Sequence, residues 1–98
     1  MSESRPWTFL TNHGSVLLCI AQDPNARLRD IAEKVQVTER AAQQIVSDLV
    51  RDGYVSVERV GRRNRYEVHT EKHLRKPIVE DRRIKDLLEA LFPNGSAA

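Results

Sequence analysis

The segment from Thr38 to Asp52 has a regular pattern of apolar residues. Its apolar residues recur at spacings of three and four, which places them in one stripe along an α-helix. These residues are Ala42, Ile45, Val46 and Leu49. Thr38 is a favoured N-cap residue, and Gly53 suits the position that follows a helix end. The pattern therefore predicts a capped helix that buries one face.

Two shorter helices are predicted before this one. The first spans 12–22, because an apolar run follows the two N-cap candidates Thr11 and Asn12, and Pro24 after it cannot continue helical hydrogen bonding. The second begins near Arg29, after a short extended strand over 26–28. Its apolar face is formed by Ile31, Ala32 and Val35.

After Gly53 the apolar residues no longer recur at helical spacing and begin to alternate with polar ones. Residues 54–60 and 65–69 are rich in β-branched residues that partly alternate with polar ones, which is typical of strands. The turn between them, 61–64, reads Gly-Arg-Arg-Asn, and its Gly and Asn suit a hairpin. We therefore expect a β-hairpin whose tip carries arginines. They are Arg62, Arg63 and Arg65.

A last amphipathic helix is predicted over 79–92, after a boundary at Pro77. Its apolar residues are Ile84, Leu87, Leu88, Leu91 and Phe92. We expect the stretch 70–78 to detach this helix from the hairpin, so that its stripe contacts a second copy in a homodimer; packing on its own core is the alternative. Residues 1–77 then form the main domain, and 78–98 form its dimerisation element.

The distribution of charge favours a nucleic-acid partner more than the net charge of +2 does. Residues 59–76 hold seven Lys or Arg against two Asp or Glu, whereas the segments before and after carry net charges of −2 and −1. A local cationic patch of this kind attracts a phosphate backbone.

Length and composition exclude several classes of protein. At 98 residues the chain has room for one domain with a modest core, and its 40% apolar and 31% charged residues are typical of a globular protein. No apolar run approaches the roughly 20 residues that span a bilayer, and residues 1–7 lack the apolar core of a secretory signal. We therefore expect a reduced, cytoplasmic protein without a membrane partner, in which Cys19 is a buried structural thiol.

No pattern indicates catalysis or a cofactor. His69 and His73 have a spacing that suits a metal on a helix, but they fall at a strand end and a loop, with His13 distant. The chain has no glycine-rich phosphate loop and no recognisable catalytic triad. We expect no enzymatic activity, no metal and no other cofactor.

Over residues 28–55, LRDIAEKVQVTERAAQQIVSDLVRDGYV, the chain resembles the winged helix-turn-helix transcriptional regulators, especially the MarR-like group of small bacterial repressors. The similar features are a helix that ends in an aliphatic residue, a capped next helix, and Leu-x-x-x-Gly-x-Val leading into a hairpin. The resemblance implies a mainly α fold with a small β-hairpin (α+β): a three-helix core, a two-stranded wing and a C-terminal helix. It also implies a homodimeric repressor that binds double-stranded DNA.

The third helix and the hairpin supply the candidate contacts with DNA. Opposite the apolar stripe, Arg40, Gln43 and Gln44 have side chains that read base edges, while Thr38 and Ser47 suit phosphate contacts. The wing residues Arg62, Arg63 and Arg65 suit phosphates or a minor groove.

Other readings of these surfaces remain open. The outer face of the third helix is also what any solvated helix shows, and the same fold can serve as a protein interaction module. RNA binding is less favoured because aromatic residues for base stacking are scarce. The chain has less C-terminal helix than MarR-like proteins usually have, so we expect no small-molecule effector site.

Overall fold

The structure, a computed structural model, describes residues 7–79 and 81–93. The elements are α1 (Asn12–Gln22), α2 (Leu28–Val35), α3 (Glu39–Arg51), β1 (Val55–Val60), β2 (Arg63–Val68), a 3-10 turn (Pro77–Val79) and α4 (Ile84–Leu91). Within the described ranges, no helix is both long and apolar enough to cross a membrane. The predicted order of helices and hairpin is confirmed.

Helices α1 and α3 each begin at a threonine N-cap, as predicted. The Thr11 Oγ1 accepts the Gly14 N–H at 3.0 Å, and the Thr38 Oγ1 accepts the Ala41 N–H at 3.0 Å. Each bond satisfies one of the amide groups that a helix start leaves without a partner. The predicted bounds of the first helix are confirmed, and the third helix lies within its predicted range.

The end of α3 fixes where the chain turns into the hairpin. Gly53 has a φ of 86°, its N–H donates to the Val50 carbonyl at 3.1 Å, and the Tyr54 N–H donates to the Leu49 carbonyl at 2.9 Å. This pair of bonds is the Schellman arrangement, for which glycine is favoured because it has no Cβ. Gly53 therefore directs the chain from the helix into β1.

The predicted strand over 26–28 is wrong. α2 already includes Leu28, and among the described residues the sheet contains β1 and β2 alone. The segment before α2 makes one strand-like bond, in which the Tyr66 N–H donates to the Pro24 carbonyl at 2.9 Å. Proline has no N–H to continue a ladder, so the contact ends there.

The hairpin turn is tighter than the predicted four residues. Val60 pairs with Arg63, and Arg59 pairs with Asn64, so Gly61 and Arg62 alone form the loop. Gly61 has a φ of 64°, and Arg62 is not among the residues with positive φ. A positive φ at the first loop position alone indicates a type II′ turn, which matches the twist of paired strands. Arg63 therefore belongs to β2.

The core joins helices α1, α2 and α3 to the hairpin. Helix α1 contributes Val16 and Ile20, α2 contributes Ile31, and the hairpin contributes Val55 and Tyr66, all of them at most 5% exposed. The whole predicted stripe of α3 is also buried. Because the side chains of a strand alternate, the burial of Tyr66 places Arg65 on the opposite face of β2.

The expectation that residues 70–78 detach the last helix is wrong. The Ile84 N–H donates to the Lys72 carbonyl at 2.8 Å, the Lys85 N–H donates to the Thr70 carbonyl at 3.0 Å, and His73 forms an isolated antiparallel bridge with Arg83. Arg83 is extended, with φ −114° and ψ 164°, so α4 begins at Ile84 rather than near residue 79. Ile84 is 5% exposed and belongs to the core.

Replacement of Ile84 by alanine tests this attachment. Because the side chain is buried, Ile84→Ala should lower the free energy of unfolding by about 2–5 kcal/mol. Glu89→Ala is the control, since Glu89 is exposed on the same helix and should change stability by less than about 0.5 kcal/mol. Urea unfolding measures both; equally small effects would mean that α4 is separate from the core.

Candidate nucleic-acid interface

The outer face of α3 presents three of the five side chains predicted to contact DNA there, together with Arg51. Arg40, Gln44, Ser47 and Arg51 lie within about 30° of the direction opposite the buried stripe, at 100° per residue. All four are exposed. Among the described residues, the Arg40 side chain has no ion pair or hydrogen bond, so its guanidinium is available to a ligand. Gln43 lies further from the direction opposite the stripe, and its amide nitrogen is 3.4 Å from the Ser47 Oγ.

A carboxylate, Asp48, lies beside this face. Its Oδ1 accepts from Gln44 Nε2 at 3.1 Å and from an Arg51 guanidinium nitrogen at 2.9 Å. Its Oδ2 lies 2.8 Å from His13 Nε2, at the start of α1. Hydrogen bonds from His13 and Gln44 hold the pKa of Asp48 below its usual value. The carboxylate therefore stays charged at neutral pH.

The three wing arginines have different environments. Arg62 is in the turn and Arg65 is on the outer face of β2, and neither side chain has a partner among the described residues. The Arg63 guanidinium instead donates to the Asn25 carbonyl at 2.7 Å. Arg63 thus fastens the wing to the turn between α1 and α2, which leaves Arg62 and Arg65 as the cations free to bind a ligand.

A groove of about 390 Å³ connects the wing to α3. Gln43 lies on the α3 side, Arg62 and Arg63 lie on the wing side, and Arg27 lies at the end of the groove where α2 begins. The remaining lining residues are Ala26, Leu28, Asn64 and Tyr66. One side of α3, at Gln43, and the wing tip therefore line the same groove, which carries three arginines.

The comparison with known families agrees with this geometry. A family described as "Winged helix-turn-helix DNA-binding" matches residues 10–56, from the start of α1 into β1. Over this segment the chain is similar to winged helix-turn-helix domains, and its helices and two-stranded antiparallel hairpin form a winged-helix fold. No curated protein matches the chain.

The apolar residues of α4 differ in how far they are buried. Ile84 is buried and Leu88 packs against the core, so these two stabilise their own domain. Leu87 and Phe92 are half-buried, and Leu91 is 45% exposed. Leu91 is therefore the residue of the predicted dimer stripe that is most available to a partner.

His69 and Cys19, which the sequence analysis also considered, contact other parts of the fold. His69 Nδ1 lies 2.8 Å from the Gly53 carbonyl, and its Nε2 lies 3.0 Å from the Ser56 Oγ, which joins the exit of the wing to the end of α3. Cys19 is half-buried rather than buried, and burial raises the pKa of its thiol. In the described ranges no group of three or more His, Cys, Asp or Glu is placed to hold a metal.

Sequence reasoning missed Arg27, Asp48 and His13. Asp48 is four residues beyond Gln44, a spacing that brings side chains together on a helix and could have indicated their contact. His13 is 35 residues from Asp48, and Arg27 reaches the wing groove only through the folded arrangement of α2. No local pattern reveals those two positions.

Proposed function

We propose that this chain is a sequence-specific transcriptional regulator of the MarR-like kind, which binds double-stranded DNA and acts by binding rather than by catalysis. Helix α3 enters the major groove, and the wing contacts the flanking backbone or minor groove. The observation that carries the proposal is the groove that Gln43 of α3 and Arg62 of the wing line together. A major groove is wide enough for a helix, and Arg and Gln have the donors and acceptors that read its base edges.

The roles of the α3 residues follow from their exposure and chemistry. Arg40 suits the two acceptors of guanine, and Gln43 and Gln44 suit adenine. Thr38 and Ser47 have hydroxyls for phosphate oxygens. Of this set, Thr38 also caps the helix through its hydroxyl, so its role in DNA binding is combined with a structural one.

Occupation of a promoter by such a protein blocks polymerase, which makes repression the regulatory outcome we propose. A homodimer would place two α3 helices in successive major grooves, one helical turn apart. The exposed Leu91 and Ile78, 45% and 91% accessible, supply apolar surface that a two-fold partner covers. Because α4 is bound to its own core, the dimer contact uses its outer side only.

The wing assignment is tested by the salt dependence of binding to a site selected from random duplexes. Each lost phosphate contact should make the slope of log affinity against log salt shallower by about 0.9, and by about twice that in a dimer. We expect this change for Arg62→Ala and Arg65→Ala. Arg63→Ala should change the slope less, because its guanidinium already binds the Asn25 carbonyl.

Lys85→Ala is the charge-matched control for these variants, since it removes one exposed cation from α4. We expect it to leave the slope unchanged. An equal change of the slope in Lys85→Ala and Arg62→Ala would mean that the wing contributes only general electrostatic attraction. Selection that enriches no sequence would favour a protein interaction module instead.

The proposed dimer is tested by sedimentation at micromolar concentration. The full chain should sediment as a dimer, and Leu91→Lys should sediment as a monomer because a charged side chain replaces the exposed apolar one. Glu89→Ala, on the same helix, should remain dimeric. A monomeric wild-type protein would contradict the proposal, as would a dimer unaffected by Leu91→Lys.

A further inference from the structure

Gln44 is the base-reading candidate on α3 whose side-chain amide has a charged partner within the protein. Its Nε2 donates to Asp48 Oδ1 at 3.1 Å, while the Gln43 amide meets only the neutral Ser47 hydroxyl at 3.4 Å. A hydrogen bond to a carboxylate is stronger than one between neutral groups. The amide of Gln44 is therefore the better oriented of the two.

The Asp48 carboxylate is itself fixed by two helices. Arg51, one turn further along α3, binds the same Oδ1 at 2.9 Å, and His13 of α1 binds Oδ2 at 2.8 Å. The Asp48 side chain is 23% exposed, so the protein rather than solvent supplies most of its surroundings. Both oxygens have protein partners, which makes Asp48 a fixed acceptor for the Gln44 amide.

The direction of this bond has a chemical consequence. The reversed amide would place the Gln44 Oε1 against a negatively charged oxygen, so Nε2 points to Asp48 and Oε1 points away from it. One hydrogen of Nε2 remains free. The free groups of Gln44 are thus one acceptor and one donor.

Adenine and guanine differ at the groups that this amide meets. In the major groove adenine presents a donor, N6–H, beside the acceptor N7, whereas guanine presents two acceptors, O6 and N7. The acceptor and donor left on Gln44 match adenine, while guanine would face the Oε1 acceptor with its own O6. An amide held in this orientation therefore discriminates against guanine.

We propose that Asp48 is a positioning residue that orients the Gln44 amide to read adenine, with His13 and Arg51 holding the carboxylate in place. The inference rests on the proposed DNA-binding function and names the specificity of one of its residues. Asp48 does not contact the base in this arrangement. Its negative charge beside DNA is offset by the Arg51 guanidinium, which also fixes it.

The experiment measures the preference for adenine over guanine at each position of the site selected from random duplexes. Gln44→Ala should remove a preference of about 5- to 150-fold at one position, which identifies the base that Gln44 reads. Asp48→Ala should remove most of that preference at the same position. The double variant should resemble Gln44→Ala alone, because the two residues act as one unit.

Asp52→Ala is the matched control. Asp52 is also a carboxylate at the end of α3. It pairs with Arg75 at 3.0 Å and lies 4.0 Å from the Arg51 Nε, and among the described residues it makes no hydrogen bond to Gln44. Its removal changes the net charge by the same amount and should leave the preference intact. Both charge-removing variants should bind random DNA slightly more tightly, and thermal unfolding followed by circular dichroism checks that each is folded.

The outcomes separate this inference from the proposed function. Loss of preference in Gln44→Ala but not in a folded Asp48→Ala would overturn the positioning role while leaving DNA reading intact. An equal loss of affinity for all duplexes in Asp48→Ala would show a merely structural role. A specific site whose base preferences survive Gln44→Ala would also overturn the inference, and the absence of any selected site would instead contradict the proposed function.

Discussion

Burial of one side of α3 sets the rotation of this helix and therefore the surface that it exposes. Ile45, Val46 and Leu49 lie against the other helices, so the opposite side is necessarily exposed and polar. Burying such a set of side chains stabilises a domain of this size by several kilocalories per mole, which fixes the rotation of the helix about its own axis. The same contacts that hold the fold therefore decide that Arg40 and Gln44 face outward.

The position of the wing depends on the same core and on two contacts outside it. Val55 and Tyr66 insert into the cluster that α3 completes. Where the hairpin passes the turn before α2, the Tyr66 amide binds the Pro24 carbonyl and the Arg63 guanidinium binds the Asn25 carbonyl. Wing and helix are thus held at one relative position. A rigid surface loses less conformational entropy when it binds DNA.

The sequence predicted what depends on local periodicity and missed what depends on distant partners. The caps at Thr11 and Thr38 and the stripe of α3 were readable because each involves residues within a few positions of one another. The start of α4 was not, since it depends on distant backbone bonds, in which the Ile84 and Lys85 N–H groups donate to the Lys72 and Thr70 carbonyls. Equally, no periodicity shows that Arg63 binds a carbonyl 38 residues earlier.

The central claim is that α3 and the wing act as one DNA-binding surface, and NMR titration of the labelled protein with duplex DNA tests it most directly. The account predicts that amide shifts concentrate in 38–47 and 61–65, together with Arg27 in the groove between them. Amides around Leu91, on the outer side of α4, should keep their positions. Shifts centred on α4 with α3 unaffected, or no shifts with any duplex, would contradict the account.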